Sequence, residues 1–262
     1  MEQEKLPALV NRFVEAHSAT SRINQLSRWA GPLCPVTGGL SPPFNAYVTA
    51  RVKAVATSVG VPIENRANRN FPCKTNLLIV FTTSPQALMD DTRKRHSQML
   101  GFHYAAQAQR LAAFEHPIQA WYMTGTKAEG DTVELDDEFH RLPAGDTHSR
   151  LSARLESQFM GVLVVVDANK IVGHQIGAIA DDVAMLSLAH ASLAKGCSDL
   201  PTILDFLNAD CQEKTDPPGL TPYDLAYLRG LYSTNPQEYL AAQRSEIGSR
   251  ILREVATHPL AP

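Results

Sequence analysis

The chain has 262 residues, of which 44% are hydrophobic and 19% are charged, a composition typical of globular proteins. Its formal net charge is −3, with 24 Lys and Arg against 27 Asp and Glu, so a basic surface for nucleic acid is not expected. The sequence contains no apolar run near the ~20 residues that cross a bilayer, so we expect no membrane span.

The N-terminal half alternates helical and strand-like patterns. Apolar residues at helical spacing predict a helix over residues 8–28 and a second helix over 41–58. The near-continuous apolar segment 76–82 has the length of a strand buried on both faces. A Ser-Pro start predicts a helix over 84–100, and the alternating, aromatic-rich segment 118–124 predicts a strand.

The second half begins with an acidic loop or hairpin edge at 127–145 and a buried strand at 159–166. Four helices are predicted after it, at 175–193, 199–207, 221–232 and 236–255. Strands in the first two thirds and helices in the last third favour an α+β fold, a twisted mixed sheet with helices packed on it. We predict one domain over residues 1–262, with the loop 214–219 as its one plausible linker.

The cysteines bear on the cellular compartment. None of Cys34, Cys73, Cys197 and Cys211 has the spacing of a zinc site, so structural zinc is not expected. The positions of Cys34 and Cys73 beside predicted elements, and of Cys197 and Cys211 around a short helix-like segment, favour the disulfides Cys34–Cys73 and Cys197–Cys211. Two disulfides predict a periplasmic or secreted protein. The charged first residues do not form a signal peptide, so we expect that the signal peptide has been removed. The alternative is four free thiols in a cytosolic protein.

The common nucleotide-binding and hydrolase motifs are missing from the sequence, which has no GxGxxG, P-loop, GxSxG or HExxH. We therefore expect no cofactor. Two histidines in the acidic loop could gather a cation with nearby carboxylates, although a solvated charged loop is the favoured interpretation. The residues concerned are His140, His148, Asp136, Asp137, Glu138 and Asp146.

The segment Ala180-Asp181-Asp182-Val183-Ala184-Met185-Leu186 lies in a predicted helix after a buried strand. A zinc-peptidase helix carries His-Glu-x-x-His at this place, where the two His bind the metal and the Glu activates its water. The later segment LTPYDLAYLRGLY, residues 220–232, is similar to an LTxxDxxxLRxLY pattern. On these two motifs the chain, over about its C-terminal half, resembles a family of uncharacterised exported bacterial proteins with a degenerate zincin-like domain that lacks HExxH.

The resemblance places Asp181 at the first His, Asp182 at the Glu and Met185 at the second His. Methionine does not replace a zinc-binding imidazole here, so the resemblance implies no intact metal site and no catalytic residues. Two hypotheses remain for the acidic pair. Either one Asp faces solvent or caps a neighbouring element while the other is buried and hydrogen-bonded, or Asp181, Asp182 and Met185 mark a remnant cleft that binds a ligand or metal.

Trp121 and Tyr122 are adjacent in a predicted strand and therefore point to opposite faces. Both belong in the core by default, but one of them could line a groove. The function expected from all these observations is an exported, non-catalytic binding or scaffold protein on an inactivated zinc-peptidase-like fold, with a protein or peptide partner. The alternative is a hydrolase of peptide or cell-wall material with metal ligands from outside the helix.

Overall fold

The chain forms a mixed α+β structure, which the computed structural model describes for residues 5–64, 73–128, 130, 132–136, 155–191, 196–208, 211 and 217–257. The strands are β1 (Pro35–Gly38), β2 (Leu77–Thr82), β3 (Ile118–Ala128), β4 (Glu134–Leu135) and β5 (Leu155–Asp167). The helices are α1 (Lys5–His17), α2 (Pro42–Ser58), α3 (Pro85–Arg95), α4 (Ala108–Leu111), α5 (Ile176–Leu188), α6 (Pro222–Ser233) and α7 (Leu240–Thr257).

The described strands form one mixed sheet in the order β1-β2-β5-β3-β4. The first two pairs are parallel, and β3 runs antiparallel to both β5 and β4. With α6 and α7 at the C-terminus, this arrangement confirms the predicted α+β class. None of the helices in the described ranges is long and apolar enough to cross a membrane.

Over residues 161–166 both faces of the central strand β5 are buried, which explains the apolar sequence of this part of the strand. Val162, Val164 and Val166 pack into the larger core, under α2 and α5. Leu163 and Val165 point to the other face, where they pack in a smaller cluster under α3. Successive residues of a strand face opposite sides, so a strand covered on both sides has no position for a polar residue.

Helix α5 follows β5 and is enclosed by other elements, since every residue from Ala178 to Leu188 is buried. A buried helix end leaves carbonyl groups that need donors. Three aromatic side chains and one amide supply them: Tyr122 Oη to Leu186 O at 2.8 Å, Trp29 Nε1 to Ser187 O at 2.8 Å, Tyr232 Oη to Leu188 O at 2.8 Å and Ala19 N to His190 O at 2.9 Å. These donors end α5 at Leu188, earlier than the predicted limit at residue 193.

The predicted helix 8–28 is wrong in its second half, because α1 ends at His17. The following segment makes its backbone hydrogen bonds in a local turn and with distant partners rather than within a helix. For example, Leu26 N donates to Gln243 Oε1 at 3.0 Å. Asn24 has a left-handed backbone with φ 56°, which a continuing helix does not contain. Tertiary hydrogen bonds have therefore overridden the apolar pattern.

Two further predicted helices are shorter in the structure. The helix 84–100 ends at Arg95 and continues as one 3-10 turn at 97–100. Gly101 then takes φ 83°, and a Cβ on it would lie 2.3 Å from the Tyr122 carbonyl oxygen, so this exit requires glycine. The predicted helix 199–207 contains only a 3-10 turn, Ile203–Asp205.

Both predicted disulfides, Cys34–Cys73 and Cys197–Cys211, are present, and the chain has no free cysteine. Two disulfides fit a periplasmic or secreted protein, because such bonds persist in oxidising compartments. The bond Cys197–Cys211 encloses the segment that contains the 3-10 turn at 203–205. The loop 214–219 lies partly outside the described residues, which resume at 217.

Replacing Tyr122 with Phe removes a donor from the buried end of α5 and leaves the Leu186 carbonyl without it. We expect Tyr122→Phe to lower the free energy of unfolding by about 1–2 kcal/mol, measured by urea denaturation. Tyr104→Phe, at a tyrosine that is 58% exposed, is the matched control and should change stability little. Equal effects of the two substitutions would contradict the capping role.

Candidate functional site

Asp181 joins three parts of the fold. The guanidinium of Arg51 on α2 donates from Nε to Oδ1 and from Nη2 to Oδ2 of Asp181, the second bond at 3.0 Å. The amide of Leu220, just before α6, donates to the same Oδ2 at 3.0 Å. A Cβ at Gly219 would lie 2.5 Å from this oxygen, so the close approach of the loop depends on glycine. The Asp181 carboxylate is therefore a structural link between α2, α5 and the start of α6.

Met185 is fully buried and belongs to the larger core. It lies one turn beyond Asp181 on α5 and packs as an apolar residue. Among the three positions that align with the zinc-peptidase motif, only Asp182 lines the cavity described next. The structure thus separates the three residues of the predicted remnant cleft instead of bringing them to one surface.

A cavity of about 210 Å³ lies between α1, α5, residues 116–118 and the disulfide-closed segment 196–208; we call it the Asp182 pocket. Its apolar lining comes mainly from Phe13, Ile118, Leu204, Phe206 and Leu207. Its ionisable lining residues are Arg12, His17, His116, Asp182, Asp199 and Asp205. Cys197 also lines it, so the second disulfide fixes one wall. The cavity exceeds the ~150 Å³ that accepts a benzene molecule.

Asp182 is a buried carboxyl group whose Oδ1 has no hydrogen-bond partner among the described residues. Burial, and then the nearby Asp224 carboxylate, raise the pKa of Asp182 well above its usual value. Burial also raises the pKa of Asp224, but hydrogen bonds oppose this effect. They come from Thr202 Oγ1 at 2.6 Å, Ile203 N at 2.8 Å and Thr221 N at 2.8 Å. Asp224 is therefore the better-stabilised carboxylate of the two, and Asp182 is the one that favours its protonated form.

His17 supplies a second buried polar group to the pocket. Its Nδ1 lies 2.6 Å from the Phe13 carbonyl, which can only accept, so Nδ1 carries the hydrogen and Nε2 is an acceptor. Burial lowers the pKa of His17 to about 4, so the ring is neutral at pH 7. Within the described residues Nε2 makes no hydrogen bond of its own.

Leu207, in the pocket wall, has an unusual backbone. Its φ of 59° is in the left-handed region, which is strained for a branched side chain. Such strain persists only where the surroundings impose it, and it is concentrated at binding and active sites. The surroundings of Leu207 therefore hold this part of the pocket wall in a conformation that the isolated chain disfavours.

The mouth of the pocket is marked by an exposed ion pair. The Arg12 guanidinium on α1 contacts Asp199 Oδ2 at 2.9 Å, and the two side chains are 59% and 55% exposed. An exposed pair of this kind contributes about 1 kcal/mol or less. The pair therefore contributes little to the stability of the fold.

Trp121 and Tyr122 face opposite sides of the sheet, as their adjacent positions require. The Trp121 indole packs in the smaller cluster and donates to the Leu111 carbonyl at 2.7 Å. Tyr122 belongs to the larger core, and its ring lies 4.2 Å from that of His190. Both are buried, yet both also line a second cavity of about 520 Å³ beside β3.

The acidic loop that was considered for cation binding lies mostly outside the described residues, including His140, His148, Asp137, Glu138 and Asp146. Asp136 is described, and its carboxylate accepts hydrogen bonds from Thr124 at 2.6 Å and Thr126 at 2.7 Å. In the ranges that the structure describes, no three His, Cys, Asp or Glu residues are grouped as a metal site.

Sequence reasoning did not select His17, Asp205 or Leu207 as site residues. His17 lies on α1, and Asp205 and Leu207 lie on the segment 196–208, so all three are distant from Asp182 in sequence. They come near it only because α1 and this segment pack around the pocket. The local signal was the pair Asp181 and Asp182, two ionisable residues in a largely apolar helix. Such a residue indicates a special role without naming its neighbours.

Comparison with protein-family models, with curated proteins and with solved structures returns no match to this chain. The zincin-like resemblance therefore stays a prediction from the two sequence motifs. The functional argument rests on the geometry of the pocket.

The two aspartates should respond to substitution in opposite ways. Asp181→Asn weakens the contacts to Arg51 and Leu220, and we expect a loss of about 1–2 kcal/mol in the free energy of unfolding. Asp182→Leu removes a buried polar group without an internal partner, beside a cavity with room for the side chain. It should raise the free energy of unfolding by about 1 kcal/mol at pH 7. Urea denaturation measures both, and destabilisation by Asp182→Leu would contradict the assignment.

Acid should destabilise the protein through His17. The pKa of His17 is about 4 in the folded chain and 6.5 in the reference state, so the unfolded chain binds the proton first as pH falls. Its contribution to stability is complete above pH 6.5 and is lost towards pH 4, a change of about 3 kcal/mol by linkage. We expect His17→Gln to reduce the slope of unfolding free energy against pH in this interval by about one proton. An unchanged slope would show that His17 titrates normally.

Proposed function

We propose that this chain is a non-catalytic binding protein of the periplasm or cell exterior, and that the Asp182 pocket is its ligand site. The proposal rests chiefly on one observation, the buried Asp182 carboxyl group that lines a cavity and has no hydrogen-bond partner among the described residues. Buried polar groups in folded proteins are nearly always paired, and leaving one unpaired lowers stability. A ligand that forms a hydrogen bond with Asp182 would explain why this unpaired group is kept in the cavity.

The positions compared with the zinc-peptidase motif support binding rather than catalysis. Asp181 is committed to Arg51 and Leu220, so its carboxylate holds helices together. Met185 packs in the core. An inactivated peptidase-like fold accounts for Asp181 and Met185 at the positions of the two metal-binding His residues. Positions once used for a metal can contribute to stability instead when catalysis is lost.

The size of the pocket favours a partner that inserts one side chain. A cavity of about 210 Å³ is below the ~300–1,000 Å³ usual for small-molecule sites, but a single side chain fits it. The pocket opens beside the exposed Arg12 and Asp199, where the rest of a peptide or protein could lie across the surface. We therefore propose a peptide or protein partner with one anchoring residue.

The binding function is tested by nuclear magnetic resonance with a library of small fragments that carry the side-chain groups of amino acids. We expect at least one fragment to shift the amide signals of residues lining the pocket, and to raise the melting temperature in proportion to its occupancy. The same fragment should not shift Asp91, an exposed residue of α3. A library that leaves all pocket signals unmoved would contradict the proposal.

A parallel assay addresses hydrolysis. The wild-type chain and the double variant Asp181→Asn, Asp182→Asn are incubated with peptides and cell-wall fragments, with and without added zinc, and the products are examined by mass spectrometry. We expect no turnover by either chain. Turnover by the wild type that the double variant lacks, and that a chelator abolishes, would replace the binding function with a peptidase-like hydrolase.

A further inference from the structure

We infer that the Asp182 pocket receives a cationic group, the guanidinium or ammonium of an Arg or Lys side chain in the partner. This inference names the ligand chemistry of the site and rests on the proposed binding function. It follows from the hydrogen-bonding groups, the charges and the walls of the pocket.

Two buried polar groups that line the pocket can accept hydrogen bonds from a ligand. His17 presents Nε2 as an acceptor because its Nδ1 hydrogen is used by the Phe13 carbonyl. Asp182 presents a carboxyl group whose Oδ1 is unpaired among the described residues, and both of its oxygens accept once the group has lost its proton. The Arg12 guanidinium is engaged by Asp199. A ligand that pairs with His17 Nε2 and with an ionised Asp182 donates several hydrogen bonds, as guanidinium and ammonium groups do.

The charges act in the same direction. Among the described lining residues, carboxyl groups come from Asp182, Asp199 and Asp205, whereas Arg12 supplies the one guanidinium and no lysine is present. Asp224, which does not line the pocket, adds a negative potential at Asp182. A carboxylate ligand would be repelled by this set, while a cation would be attracted and would offset the repulsion that arises between Asp224 and an ionised Asp182.

The apolar walls suit the flat or compact cation of a long side chain. Phe13 and Phe206 both line the pocket, and aromatic faces attract cations in addition to covering the methylene groups of Lys and Arg. Ile118 and Leu207 supply further apolar surface. The methylene groups of an Arg or Lys side chain can therefore contact apolar surface while its charged end contacts His17 and Asp182.

Binding of the cation is coupled to the release of one proton from Asp182. Before binding, Asp182 is a neutral carboxylic acid; after binding, it is a carboxylate that accepts hydrogen bonds from the cation. The proton leaves to solvent and the ligand keeps its charge, so the Asp182 carboxylate and the bound cation form a neutral pair. Release of one proton makes the affinity rise with pH, by about tenfold per unit, as long as free Asp182 remains protonated.

Other ionisable groups face the same space, and the pH interval is chosen with them in mind. They are Arg12 and His17 on α1, His116 before β3, Asp199 and Asp205 on the segment 196–208, and Asp224 on α6. Ordinary carboxyl and imidazole groups have completed their titration above about pH 7.5, and guanidinium has not begun to titrate at pH 9. Affinities are measured between pH 7.5 and pH 9 in the wild-type chain and in Asp182→Asn, and the difference between the two pH dependences isolates Asp182.

The test compares methylguanidinium with methylurea, which has nearly the same shape and no charge. Both are titrated into the full chain, with binding followed by the amide signals of the pocket residues. We expect methylguanidinium to bind at least about tenfold more tightly than methylurea at pH 8, with an affinity that increases with pH. In Asp182→Asn, the preference and the pH dependence should both disappear, and Asp91→Asn serves as the charge-matched control.

The outcomes separate the two proposals. Preferential binding of methylurea, or an equal affinity for both probes, would overturn the cation inference while leaving the pocket as a ligand site. Tight methylguanidinium binding that is independent of pH and unaffected by Asp182→Asn would overturn it as well. Binding of neither probe also overturns it, and the fragment library then decides whether the site itself stands. The comparison in the wild-type chain needs no variant, so a poorly folded Asp182→Asn protein does not prevent a decision.

Discussion

The burial of α5 is the constraint on which the rest of the structure depends. This helix packs against the sheet, α2 and α6 along its whole length, and two adjacent carboxyl groups lie within it. A carboxylate without partners is costly in such surroundings, so each group must either be paired or keep its proton. The fold uses both solutions, one for Asp181 and the other for Asp182.

The two adjacent aspartates therefore have different roles: Asp181 stabilises the fold, and Asp182 lines the proposed ligand site. The Asp181 carboxylate meets Arg51 and Leu220, and it fixes α5 against its neighbours. Asp182 instead lines a cavity that the disulfide-bonded Cys197 also lines, and burial, together with the nearby Asp224, raises its pKa well above the usual value. A neutral acid without a partner leaves hydrogen-bonding atoms unused, and a cationic side chain can donate hydrogen bonds to them. The same physical condition thus accounts for the raised pKa, the pocket and the expected ligand.

The sequence predicted the features that depend on local pattern. The apolar run of β5 and the alternation of β3 indicated the sheet, and the cysteine positions indicated both disulfides. The end of α1 was missed because residues after His17 form hydrogen bonds with Gln243 and His190, which no local pattern records. The site was found only in part. Asp182 was visible as an acid in an apolar helix, but its neighbours depend on how distant segments pack.

The protonation state of Asp182 is the quantity that tests the central claim most directly. It can be measured from the carbon-13 signal of the carboxyl group in a chain with labelled aspartate, assigned by its loss in Asp182→Asn. We expect the signal to titrate well above the ordinary aspartate pKa in the free protein, and to move to that of a carboxylate when a cationic ligand binds. A signal that titrates near the ordinary aspartate pKa, about 3.9, would contradict the claim, because Asp182 would then be charged and already partnered in the free protein.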